Sequence, residues 1–89
     1  MSLTGLAVEF YVSPFDYITS KVRDWLIYIE QPYRCLGVYA DAATAIKEAI
    51  HMAEYRVMSG KAAQVHMRLE SKALWQTVWH SPDTTPRFP

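Results

Sequence analysis

Asp41 to Gly60 is the one stretch that keeps a helical period from end to end, and it restricts the fold more than any other part of the chain. Ala42, Ile46, Ala49, Ile50, Ala53 and Val57 recur at spacings of three and four, so they share one side of a helix. Lys47, Glu48, His51, Glu54 and Tyr55 fall largely on the other side, the pattern of a helix that roofs a sheet. Asp41 suits the N-cap, because its carboxylate accepts hydrogen bonds from first-turn amides and complements the positive end of the helix dipole. Gly60 suits the exit, since a residue without Cβ can take the left-handed conformation that closes a helix. Burying Ile46, Ile50 and Val57 is worth about 1.5–3 kcal/mol each, and the alanines allow a close approach.

The segments around the helix supply the surface it covers. From Leu6 to Val12 the chain alternates, with Leu6, Val8, Phe10 and Val12 on one face and Ala7, Glu9 and Tyr11 on the other. Ser13-Pro14-Phe15-Asp16 reads as the end of that strand, because proline removes a ladder donor and aspartate favours turns. A loop to about Arg23 follows. Trp25 to Glu30 is apolar at nearly every position and reads as a strand contacted on both faces. Gln31-Pro32-Tyr33 marks a turn, and Arg34 to Tyr39 returns antiparallel, with Gly37 signalling a bulge or a close approach by the helix. After the helix, Ala63, Val65, Met67 and Leu69 point inward while Gln64, His66 and Arg68 point to solvent. Glu70-Ser71-Lys72 turns the chain into a last strand, Leu74 to Trp79, with Trp75, Thr77 and Trp79 on one side. The predicted fold is therefore α+β, in the order β-β-β-α-β-β. One helix packs on one face of a four- to five-stranded, mostly antiparallel sheet. Residues 1–80 form the single domain, and 81–89, rich in proline, form an extended tail without order unless something holds Phe88.

Charge and size narrow the function classes. Nine basic and nine acidic side chains cancel, so no global field draws in phosphate backbones or anionic lipid. The single Cys35 has no internal disulfide partner and reads as a small buried thiol in a reducing compartment. No run approaches the roughly 20 apolar residues of a membrane span, and a cytoplasmic protein is expected. The chain carries three Trp, six Tyr and three Phe, more than one helix on a small sheet needs to bury. Because the helix covers one face, the surplus is expected on the other, drawn from Trp25, Tyr28, Tyr39, Trp75 and Trp79. A symmetric homodimer is the simplest way to cover them.

Trp25 to Glu30, the cap at Asp41 followed by Ala45-Ile46 and Ala49, and the later Gln64-Val65-His66 strand together resemble a small bacterial family known as domain of unknown function 2188. The resemblance covers roughly Trp25 to Trp79. It implies a tryptophan-led strand, a return strand, a capped Ala-rich helix and a final hairpin, and it implies no catalytic residue.

The residues that could carry chemistry do not assemble into a motif. His51, His66 and His80 have no His, Cys or carboxylate at i, i+3 or i, i+4 in a context that makes a metal site, so no metal or other cofactor is expected. Glu48 and His51 read as a solvated helical pair, and His66 as a surface histidine on the polar side of its strand. The helix opens behind a negative cap with no glycine-rich turn, which speaks against phosphate binding. Single strands of nucleic acid could stack on Tyr39, Trp75 or Trp79 with Arg34, Arg68 and Lys72 nearby, but the neutral charge favours core or dimer roles for these rings. Tyr55 and Arg56 read as a solvated or subunit-facing surface. The expected function is a non-catalytic homodimeric or protein-interaction module. The alternative is a weak nucleic-acid-binding or regulatory protein using the helix-free sheet face.

Overall fold

The computed structural model describes residues 7–16, 23–70 and 73–88. Leu6, the expected loop before Arg23, and Ser71 and Lys72 of the expected turn lie outside them. Five strands and one helix follow in the order read from the sequence: β1 (Val8–Asp16), β2 (Arg23–Ile29), β3 (Arg34–Tyr39), α1 (Ala42–Met58), β4 (Ala63–Met67) and β5 (Gln76–His80). The sheet order is β3-β2-β1-β4-β5. β1–β2, β2–β3 and β4–β5 are antiparallel, and β1–β4 in the middle is parallel. The parallel pair follows from the helix: a crossover through α1 returns the chain to the sheet running in the direction of β1.

Strand β1 continues through Ser13-Pro14-Phe15-Asp16, where the sequence predicts a break. Proline is accepted there because β4 ends at Met67, opposite Val12, so at Pro14 the strand has only β2 beside it.

The helix begins and ends as its sequence dictates. Thr44 donates its backbone N–H to Asp41 Oδ1 at 2.8 Å and its hydroxyl to Oδ2 at 3.1 Å, and these bonds hold the Asp41 carboxyl below its ordinary pKa. At the exit Gly60 has φ +88°, its N–H reaches Val57 O at 2.9 Å, and Lys61 N–H reaches Arg56 O at 3.0 Å. The line of closest contact is Ala45, Ala49 and Ala53, each fully buried. Ile46, Ile50 and Val57 flank it half-buried, with Ala42 and Met52, so the small residues set the distance and the large ones seal the sides. Beneath the helix lie Phe10, Val12, Trp25, Ile27, Ala63 and Val65.

Two bulges decide which side chains share a face. Opposite Ile27 and Tyr28 the register slips across Leu36, so Leu36 and Tyr39 both pack toward the core. The close approach at Gly37 comes from Tyr39, whose ring sits where a Cβ would stand, 2.7 Å away, and not from the helix. On β5 the register slips across Val78, so Val65 faces Trp79 while His66 faces Thr77. Trp79 therefore packs on the helix side and Thr77 on the other. This separates Trp79 from Trp75 and Thr77, which strand alternation predicts on one side.

Cys35 is exposed, not buried as expected, because β3 is an outer strand of the sheet and the slip at Leu36 turns the thiol away from the core. Among the described residues no helix is long and apolar enough to cross a membrane.

Candidate functional site

The face of the sheet opposite the helix carries an unbroken polar and aromatic network, built from alternate residues of the central strands. β1 contributes Glu9, Tyr11 and Ser13; β4 contributes Gln64 and His66, with Arg68 just past its end. The parallel register sets Glu9 beside Gln64 and Tyr11 beside His66. β2 brings Tyr28 next to Tyr11, with ring centroids 5.4 Å apart and nearly parallel, and Trp75 meets Tyr11 edge-on at 5.2 Å. The Arg68 guanidinium lies 4.7 Å from the Trp75 ring centre, and its Nε donates to Ser13 Oγ at 3.1 Å.

Residues 81–88 return over this face. Ser81 ties the turn to β4, its N–H donating to Ala63 O at 2.9 Å and its Oγ accepting from Ala63 N–H at 3.1 Å. Gln64 then reads two backbone groups of the extended segment: its Nε2 donates to Thr85 O at 2.7 Å and its Oε1 accepts from Arg87 N–H at 3.0 Å. Thr77 Oγ1 accepts a third bond, from Phe88 N–H at 2.9 Å. Two side chains of the segment are also held. Arg87 Nη1 donates to both oxygens of Glu9, at 2.9 and 3.0 Å, and to Tyr11 Oη at 3.0 Å. The Phe88 ring stands edge-on to His66 at 4.8 Å and stacks with Trp75 at 6.5 Å. These contacts hold Phe88 against the sheet.

His66 is fully buried, which corrects the surface position expected from its alternation with Gln64 and Arg68. Alternation identified the polar side of the strand but not the segment that covers it. Burial pushes the His66 pKa below the ordinary 6.5, and the Glu9 carboxylate only partly offsets this. Burial also works against the charge of Glu9, yet the bonds from Arg87 and His66 outweigh it and keep that carboxyl below its usual 4.5. Glu9 is then a carboxylate and His66 a neutral ring, which fixes every proton in the chain of bonds. His66 Nε2–H donates to Glu9 Oε1 at 2.9 Å, and the Thr77 hydroxyl donates to His66 Nδ1 at 2.9 Å while accepting from Phe88. Tyr11 and Tyr28 have raised pKa values, chiefly through burial, so both phenols are neutral at pH 7.

The carboxylate, imidazole and hydroxyl are in the order of a nucleophilic triad, but Thr77 Oγ1 is engaged at once by His66 and by the Phe88 amide. Among the described residues, no buried side-chain nitrogen or oxygen lacks a partner, and no three His, Cys, Asp or Glu side chains gather as a metal site.

Of the five aromatics expected on the helix-free face, Tyr28 and Trp75 are there, together in one cluster. Trp25, 9% exposed, Tyr39 and Trp79 pack on the helix side. Sequence reasoning missed Tyr11, Gln64, Thr77, Arg87 and Phe88 as members of one site. The available signal was the run Gln64-Val-His-Met-Arg68, three hydrogen-bonding side chains at alternate positions, beside a tail bearing Arg87-Phe88. Nothing in their spacing shows that these meet. His51 and Glu48 lie elsewhere, lining a groove of about 490 Å³ with Met52, Tyr55, Phe10 and Leu36.

The fold and this face define a one-helix α+β domain whose open sheet side grips an extended polypeptide segment. No protein-family model, no curated protein and no solved structure matches the chain.

Proposed function

We propose that the chain is a non-catalytic protein-interaction module that works as a homodimer, with the helix-free sheet face as its binding side. The observation that carries this reading is the Gln64 side chain, which bonds the backbone of an extended segment at two points, as a neighbouring strand would. The tail covers the β4–β5 half of that face. Towards the other edge, Val38, 54% exposed, lies on the outer strand β3 opposite Leu26. An apolar strip beside an outer strand suits a second copy related by a two-fold axis. Light scattering on the full chain at increasing concentration is expected to reach twice the 10.3 kDa chain mass, and Val38→Glu is expected to return it to monomer. A wild-type chain that stays monomeric at hundreds of micromolar would remove the dimer from this reading.

The resemblance to the domain of unknown function 2188 is consistent with the same proposal, since it implies this order of elements and no catalytic residue. The nucleic-acid alternative gains less support. Trp75, its best stacking platform, already has Arg68 over its ring and Phe88 against it.

A further inference from the structure

The tail contacts have the form of ligand recognition, with backbone groups read by fixed side chains and two tail side chains read by chemistry. Thr85 O, Arg87 N–H and Phe88 N–H are bound by Gln64 and Thr77, and those bonds are available to any extended segment, whatever its sequence. Selection lies in the next two contacts. Both oxygens of Glu9, with Tyr11 Oη, meet a single guanidinium nitrogen, and an aromatic ring fits against His66 and Trp75. Gln64 and His66 are 5% and 0% exposed beneath the tail, and their positions are set by the central β1–β4 pairing, which places them beside Glu9 and Tyr11. The arginine itself remains half in water, its side chain 53% exposed, and the turn that brings the segment back is short and carries Pro82 and Pro86 on either side.

We propose that this groove is a binding site for an extended segment of a partner protein carrying arginine followed by an aromatic residue, and that residues 85–88 occupy it as a competitor in cis. The proposal rests on the reading of the helix-free face as an interaction surface and names what that surface selects. Charge complementarity chooses the occupant: Glu9 presents an ionised carboxylate to the docked guanidinium, while Arg68 is turned onto Trp75. An acidic segment would leave Glu9 facing like charge.

The probe is a fluorescein-labelled peptide Ser-Pro-Asp-Thr-Thr-Pro-Arg-Phe-Pro, titrated into the full-length chain with anisotropy as the readout. A tail docked about nine-tenths of the time weakens apparent affinity for an incoming segment about tenfold. The full-length Arg87→Ala/Phe88→Ala variant is therefore expected to bind the probe about tenfold more tightly than wild type. Adding Glu9→Gln to that variant is expected to lower the affinity severalfold, and a peptide with alanine at the arginine and phenylalanine positions is expected not to bind. If the double variant does not fold, the same peptides are added at millimolar concentration to the wild-type chain while the Trp75 indole resonance is followed by NMR. It is expected to shift with the Arg-Phe peptide alone. No binding in either format overturns the proposal, as does equal binding of both peptides. A wild-type dimer that Phe88→Ala dissociates, without peptide uptake, also overturns it, because the groove would then serve exchange of tails between copies. Peptide binding by a chain that is always monomeric would leave this inference standing and remove only the homodimer.

Discussion

Thr77 is where the sheet and the tail are joined, because its hydroxyl donates to His66 and accepts from Phe88. Replacing it by valine keeps the shape of the side chain and removes both bonds, leaving His66 Nδ1 buried without a donor and the Phe88 amide without an acceptor. Thr77→Val is expected to cost about 1–3 kcal/mol in urea unfolding, the usual penalty for orphaned buried polar groups. A loss too small to resolve would mean that water replaces the hydroxyl. Acid acts on the same network. The folded pKa values of His66 and Glu9 are both depressed, so the unfolded chain binds more protons than the folded one as pH falls. Stability is then complete above about pH 6.5, declines first as His66 is forced towards its charged form against burial, and declines further below 4.5 as Glu9 loses its charge and its hold on Arg87. The melting temperature is expected to drop between pH 7.5 and 5. A flat or rising curve would contradict a neutral buried His66. From sequence, the polar side of β4 was visible at Gln64 and His66, but not their burial, because alternation reports direction and says nothing of what lies above the sheet.

At the scale of the elements, the chain is most legible where local chemistry decides. Asp41 and Gly60 bracket α1 because a cap carboxylate and a left-handed exit are short-range requirements, and β3 runs from Arg34 to Tyr39 as its pattern predicts. The helix also shows how a correct period can misplace the weight of the packing. Side-chain size predicts the main burial at Ile46 and Ile50, yet the buried line runs through Ala45, Ala49 and Ala53, where α1 packs on β1 and β4. Ala49→Leu is expected to destabilise the chain by about 1–3 kcal/mol, since added methylenes must push the helix off the sheet. Thermal melts would check it, and a neutral result would mean that the layer can open without loss. The bulges at Leu36 and Val78 were not legible, although Gly37 hinted at the first. A slip of one residue is fixed by the partner strand, and it sent Trp79 and Trp75 to opposite faces.

At the scale of the whole molecule, the order of elements was readable and the order of strands was not. Hairpins announce themselves through short turns, as at Gln31-Pro32-Tyr33, whereas the pairing of β1 with β4 joins residues more than fifty positions apart and depends on where the helix sets the chain down. That pairing also bears on synthesis. Since β1 is the middle of the sheet although it comes first in the chain, a growing polypeptide that has emerged through β3 can close only one side of β1. Its other rim, with the backbone of Val8 to Val12 unmatched, must wait for Ala63 to Met67. During translation that rim is an invitation to stray pairing with a neighbouring nascent chain, and α1 is the tether that determines how quickly the right strand arrives.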